Sequence, residues 1–219
     1  MITFDEIKNN SDIKTYITKA DESLIALGYT EHSFAHVGKV SDRAAYILQT
    51  LGYDERTVEL ARIAGYLHDI GNLVNRVDHS QSGAVMAFRL LDKLGMPADE
   101  IATVVTAIGN HDEGTGVAVN PVAAALIIAD KCDVRRTRVR NSDISTFDIH
   151  DRVNYSVVSS ELKISEDKMN AVLELEVDTS ISAVIDYFSI FIGRMQMSRQ
   201  AAERLGLVFS LVINGQRLL

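Results

Sequence analysis

Apolar residues recur at helical spacing through the first two thirds of the chain. Phe34, Val37, Val40, Ala44, Ile47, Leu48 and Leu51 fall on one stripe, and Gly52 is placed to stop that helix. Asp54 predicts the N-cap of a second helix carrying Val58, Leu60, Ala61, Ile63 and Leu67, with Gly71 as its stop. A third helix is expected from near His79 to Gly95, burying Val85, Phe88, Leu90, Leu91 and Leu94. Pro97 suits the first turn of a fourth, with Asp99 and Glu100 near its positive end and Ile101, Val104, Val105 and Ile108 inside. Pro121 opens another apolar helix that runs through Ala125, Leu126, Ile127 and Ile128 to Asp130.

The pattern changes after about residue 150. Leu173, Leu175 and Val177 alternate with Glu174, Glu176 and Asp178, as in a half-buried strand. A further strand is expected over residues 154–164, a long amphipathic helix over 180–205, and a last strand over 207–213, closed by Asn214-Gly215. The expected fold is mainly α: a helical bundle over residues 1–145, then a small α+β C-terminal module of β-β-α-β order over residues 146–219. No Pro- or Gly-rich linker separates them, so the module is expected to pack on the helices or to serve a homodimer.

At 219 residues and 47% hydrophobic, the chain can bury one good core. A net charge of −8 argues against general nucleic-acid binding but leaves room for a local cationic cluster that takes a small anion. Cys132 is the only cysteine, so no intrachain disulfide can form. The N-terminus lacks the basic and apolar regions of a signal peptide. The most apolar helical stretch, over residues 181–192, is interrupted by Asp186 and soon followed by Arg194. These features predict a cytoplasmic protein with no membrane partner.

The chemistry lies in the polar exceptions to the apolar pattern. His36, His68, Asp69, His79, His111 and Asp130 fall near helix ends, where one central cleft could collect them. Neutral imidazoles and a few carboxylates are what a transition-metal centre needs. Ordinary alternatives exist for each: a helix-terminal polar pair at His68-Asp69, a helix cap at His79, a C-terminal polar residue at His111. His32 matches no ligand position and is read as structural or substrate-facing, and His150 as a surface residue.

The segments His36-Val37-Gly38-Lys39-Val40, Leu67-His68-Asp69-Ile70-Gly71 and Ala129-Asp130-Lys131 resemble, in order, the motifs of the HD-domain superfamily of metal-dependent phosphohydrolases. His79, in Asp78-His79-Ser80-Gln81-Ser82-Gly83-Ala84, and His111, in Asn110-His111-Asp112-Glu113, are similar to the extra histidines of its binuclear branch. The resemblance spans roughly residues 30–140. It implies an HD-type helical bundle and two divalent transition-metal ions drawn from Mn, Fe, Co, Ni and Zn. His36, His68, Asp69 and Asp130 would hold one ion, His79 and His111 the other, with Asp69 bridging. The implied activity is hydrolysis of a small phosphate ester, a nucleotide among the options, by attack of a metal-bound hydroxide on phosphorus. Asp69 and Lys131 would serve catalysis; Asn72, Lys131, Arg135 and Arg136 would bind the substrate. The arginines belong to a basic run with Arg138 and Arg140, which reads equally as a phosphate clamp or a solvated face.

Two departures matter. The family often has Lys immediately after His-Asp-x-Gly, where this chain has Asn72, and the Gly-Tyr-Pro motif of cyclic-dinucleotide phosphodiesterases is missing. Two other classes therefore stay open: a di-iron oxygenase resembling myo-inositol oxygenase, and a non-catalytic ligand-sensing protein.

Overall fold

The structure, a computed structural model, describes all 219 residues. The helical part comprises α1 (Phe4–Asn9), α2 (Ser11–Ala26), α3 (Phe34–Leu51), α4 (Glu55–Leu67), α5 (His79–Lys93), α6 (Ala98–Gly109) and α7 (Pro121–Lys131). Local chemistry sets their ends. The Asp54 carboxylate accepts the Thr57 N–H at 3.0 Å, the Asn120 side chain accepts the Ala123 N–H at 2.7 Å, and Gly52 closes α3 at φ 91°. Helix α7 is the central element. Its residues 122–129 are all buried, because α3, α4, α6 and a long C-terminal helix (Val184–Arg204) surround it.

Close approaches at two glycines bring the helix ends together. A Cβ on Gly65 would lie 2.7 Å from the Ser41 Cα, so α3 and α4 cross almost in backbone contact and their histidines converge. Gly71 was expected to stop α4, yet that helix ends at Leu67, with His68 as its C-cap, and Gly71 sits in a 3-10 turn (Ile70–Leu73) at negative φ. A Cβ there would collide with the His79 carbonyl and the Gly83 amide. The glycine thus lets the turn press against α5.

That packing also corrects the face assigned to α5. Val85 and Phe88 are exposed, and the buried stripe is His79, Ser80, Gly83, Ala84, Ala87 and Leu91. Against a turn and helix this near, small side chains fit where large ones would not.

The C-terminal part begins with a helix, α8 (Ile149–Ser156), capped by Asp148, so residues 154–156 are helical rather than extended. Strands β1 (Val157–Ile164), β2 (Asn170–Val177), β3 (Val208–Ile213) and β4 (Gln216–Arg217) form one sheet in that spatial order. β1–β2 and β3–β4 pair antiparallel; β2–β3 pair parallel across the long helix α9 (Val184–Arg204). The β-β-α-β order matches the sequence pattern, with the β4 stub added after Asn214-Gly215. Leu173 lies opposite both Leu162 and Leu211, and the alternation of β2 buries Ala171, Leu173, Leu175 and Val177.

The division expected near residue 145 falls at a 3-10 turn (Ile144–Thr146), while one hydrophobic cluster runs from Ile7 to Ile213. Helix α9 lays Tyr187, Phe191 and Met195 into it beside α7. Arg43 on α3 donates to the carbonyls of Cys132 and Ser160, at 3.0 and 3.1 Å, tying α7 to β1. No helix is long and apolar enough to cross a membrane.

Candidate metal centre

Four buried imidazoles are held by the same device. His68 Nδ1 donates to the Gly65 carbonyl at 2.8 Å, His79 Nδ1 to that of Arg76 at 3.1 Å, and His111 Nδ1 to that of Ile108 at 2.6 Å. In each case the acceptor lies three residues back. At the C-termini of α4 and α6 such carbonyls lack intrahelical partners, so the ring also caps its own helix. His36 Nδ1 donates to the Asp133 carboxylate at 2.8 Å. Carbonyls and carboxylates only accept, which puts a proton on each Nδ1 and turns each Nε2 toward the cluster.

All four Nε2 atoms face one another across two carboxylates. His36 Nε2 lies 3.3 Å from Asp130 Oδ1 and 3.5 Å from Asp69 Oδ2; His68 Nε2 lies 3.2 Å from Asp69 Oδ2 and 3.7 Å from Asp130 Oδ1. Asp69 turns its other oxygen, Oδ1, to His79 Nε2 at 3.5 Å, and His79 Nε2 lies 3.2 Å from His111 Nε2. With both Nδ1 protons committed to carbonyls, that last contact sets two lone pairs toward one another, and Arg76 Nη1 donates to the His79 Nε2 at 3.3 Å.

The donor set fits a cation. His36 Nε2, His68 Nε2 and Asp69 Oδ2 are buried without any hydrogen-bond partner, a costly state unless an ion satisfies them. Ligands about 2.1 Å from a common ion stand about 3–3.4 Å from each other, close to the separations here. Two overlapping trios bring their ligand atoms within 4.8 Å of one another: His36, His68 and Asp130, and His68, Asp69 and His111.

Charge points the same way. Burial pushes the His79 and His111 imidazoles below their ordinary range, which keeps them neutral as ligands must be. Burial also opposes charge on His68, but the Asp69 and Asp130 carboxylates outweigh it and push that imidazole up to about 10, so a cation bound there would have to displace its Nε2 proton. Burial likewise resists ionising Asp69 and Asp130. His68 beside the first, and Lys131 beside the second, hold both well below the usual carboxylate range. The pocket therefore keeps two anions, with Lys131 and a proton on His68 as the positive charges beside them; a divalent cation would take the place of that proton.

Known proteins supply the context. The family model described as HD domain matches residues 33–135, which span α3 to α7 and contain every ligand named above. That segment is similar to an HD domain. An uncharacterized protein of Methanocaldococcus jannaschii, MJ1020, is 26% identical in an alignment covering 75% of this chain and 72% of that protein. A crystal structure of a predicted HD superfamily hydrolase from an uncultured Thermotogales bacterium gives a TM-score of 0.43 at 24% identity, covering 62% of this chain and 75% of that one.

Around the candidate ligands lies a small polar cavity of about 20 Å³ with a cationic wall of Arg76, Lys131, Arg138 and Arg194. Lys131 is buried, with Nζ 2.8 Å from Asp130 Oδ2. Arg138 is buried too, anchored by Nε to the Glu31 carbonyl at 2.9 Å and by Nη1 to the Asp133 carbonyl at 3.0 Å.

Other members of the basic run point elsewhere. Arg135 pairs with Glu31 at 2.8 Å and Asp133 at 3.1 Å, Arg136 donates to the Tyr155 carbonyl at 2.6 Å and stacks on its ring, and Arg140 pairs with Asp21. None of these three lines the cavity, and Arg135 and Arg136, expected as substrate contacts, are engaged by Glu31, Asp133 and Tyr155. The physical reason is local: a 3-10 turn (Arg136–Arg138) points successive side chains in different directions, and only Arg138 faces inward.

Asn72 does not line the cavity either, but it bonds two residues that do, Asp69 and Arg76. It donates to the Asp69 carbonyl at 2.9 Å and to Asp69 Oδ1 at 3.0 Å, and so holds the carboxylate. His32 lines the cavity with Nδ1 tied to the Thr30 carbonyl at 2.7 Å, while His150 is exposed on α8.

The sequence reading missed Asp133, Arg76 and Arg194 as site residues. Asp133 stands three places after Asp130, a spacing that could have drawn notice. Arg76 and Arg194 carry no local signal, since folding alone brings them in.

Proposed function

We propose that this chain is a metal-dependent phosphohydrolase that cleaves a P–O bond of a small phosphate ester, with nucleotides among the substrates to try first. The observation that carries this reading is the Asp69 carboxylate, with one oxygen toward His36 and His68 and the other toward His79. That split suits a carboxylate bridging two ions. His36, His68, Asp69 Oδ2 and Asp130 Oδ1 would hold one, and Asp69 Oδ1, His79 and His111 the other.

Divalent ions at such a site supply Lewis acidity toward phosphoryl oxygens and bring the ionisation of water near neutral pH. The chain's own residues do the rest. Asp133 fixes the orientation of His36, and Asn72 that of Asp69, so the donors are set before substrate arrives. Lys131 and Arg138, buried and cationic, would hold phosphoryl oxygens and neutralise charge that builds on them. No side chain in the cavity is an activated Ser or Cys nucleophile.

The cationic wall also bears on the oxygenase alternative. Its support was Asn72 in place of a phosphate-seeking lysine, yet Asn72 serves Asp69, and cations for a phosphate come from other elements.

Phosphate release from a panel of nucleotides and phosphomonoesters with added Mn²⁺, in parallel with Asp69→Ala, tests the proposal. Turnover by the parent and background rates in the variant are expected. Equal rates in both, or no release from any compound, would reject hydrolysis at this site.

A further inference from the structure

The C-terminal part reaches into the site through one side chain. Arg194, on α9, lines the same cavity as Asp69, His79, His111 and Asp130. Its guanidinium lies over the Phe191 ring, 4.5 Å from the centroid, and its Nε contacts Glu113 Oε1 at 2.9 Å. That same oxygen of Glu113 is 3.3 Å from Lys131 Nζ, and Lys131 in turn is 2.8 Å from Asp130. One carboxylate oxygen is thus seated between two cations, one step outward from a metal-ligand candidate.

Glu113 is poorly committed to that seat. Its side chain is 37% exposed, while that of Lys131 is 5% exposed. It sits beside Gly114 in the loop joining α6 to α7. Lys131 and Arg194 both line the cavity, so an anion entering it reaches the donors they give to Glu113 only by taking that carboxylate's place. Oxyanions of phosphate compete for the same donors and carry more charge than a carboxylate.

We propose that Glu113 Oε1 marks the seat of a substrate oxyanion. On binding, Glu113 swings out, and a second phosphoryl group of the substrate takes its place between Lys131 and Arg194. The preferred substrates would then carry two or more phosphoryl groups, and Arg194 is the residue by which the C-terminal part selects them. The inference rests on the phosphohydrolase reading for the chemistry at the ligand cluster, though the anion seat itself can be tested apart from turnover.

The test is calorimetric titration of inorganic pyrophosphate and inorganic phosphate into Mn²⁺-loaded parent, Arg194→Gln and Glu113→Gln, with phosphate release followed in the same samples. Arg194→Gln should weaken pyrophosphate binding about tenfold or more, as loss of a charge-assisted contact does, and affect inorganic phosphate less. Glu113→Gln should strengthen pyrophosphate binding, because the internal competitor loses its charge. Should Arg194→Gln fail to fold, the sign of the Glu113→Gln effect decides alone. Parent-like pyrophosphate affinity in Arg194→Gln, or no gain in Glu113→Gln, overturns the proposal. The expected binding changes without turnover of any phosphate ester would uphold the seat and reject the hydrolase reading. Turnover without those changes would do the reverse.

Discussion

Asp133 accepts the Nδ1 proton of His36 at 2.8 Å while completely buried, and so decides which nitrogen of that ring faces the ligand cluster. Arg135 and Arg43 flank the same carboxylate at 3.1 and 3.5 Å. Burial disfavours its charge, but His36 and the arginines hold its pKa far below the carboxylate range. Asp133→Asn keeps the shape but loses the charge and the obligate acceptor. Metal affinity should fall about 10- to 100-fold, as for other outer partners of ligating histidines, measured by competition with a chromophoric chelator. Unchanged affinity would show that Asp133 serves packing alone.

Ion binding should appear as stability. A metal at 100 times its Kd adds about 2.7 kcal/mol to folding, so Mn²⁺ should raise the melting temperature and EDTA should reverse the gain. Asp69→Ala touches both halves of the cluster and should abolish the shift. His111→Ala touches only one half and should retain part of it. Equal loss in the two variants would argue against two separable sites.

Gly71→Ala is expected to be among the most damaging single-methyl changes in the chain. The added Cβ collides with the backbone of His79 and Gly83, and neither can yield without moving α5 and its histidine. A cost of about 3 kcal/mol or more in denaturant melts is expected, together with weakened metal binding. A stable variant with parental metal affinity would mean that the turn packs less closely against α5 than described.

Much of this was legible in the sequence, for identifiable reasons. Helical periodicity located α3 to α6 because each buries one stripe, the continuous apolar run after Pro121 marked α7, and the strict alternation from Leu173 to Val177 gave β2. All six ligand positions stood out as polar residues in apolar helices, and all six come together. What could not be read depends on tertiary contact. Val85 and Phe88 looked buried because periodicity does not say which of two faces meets a neighbour, and the glycines at 71 and 83 chose the small one. Arg135 and Arg136 looked like a clamp by charge, but Glu31, some hundred residues earlier, and Tyr155 claim them. Arg194 could not be assigned from its neighbours in sequence at all.

Cys132 gives a pH-dependent check on burial at the end of α7. Burial pushes its thiol up to about 12, whereas an unfolded thiol ionises near 8.5. The folded form therefore holds its proton where the unfolded chain releases it, and stability falls as pH rises between those values. Cys132→Ala should narrow its stability gap to the parent across pH 9 to 10, by on the order of 1 kcal/mol per pH unit. Iodoacetamide should label the native thiol only as the protein unfolds. Rapid native labelling at pH 8 would contradict this burial.

Anomalous diffraction from crystals of the Mn²⁺-loaded protein tests the centre most directly. Two peaks are expected, one among His36, His68, Asp69 and Asp130, the other among Asp69, His79 and His111. A single peak within the first group would reduce the centre to one ion. No peak at either position would contradict the assignment of these six residues as metal ligands.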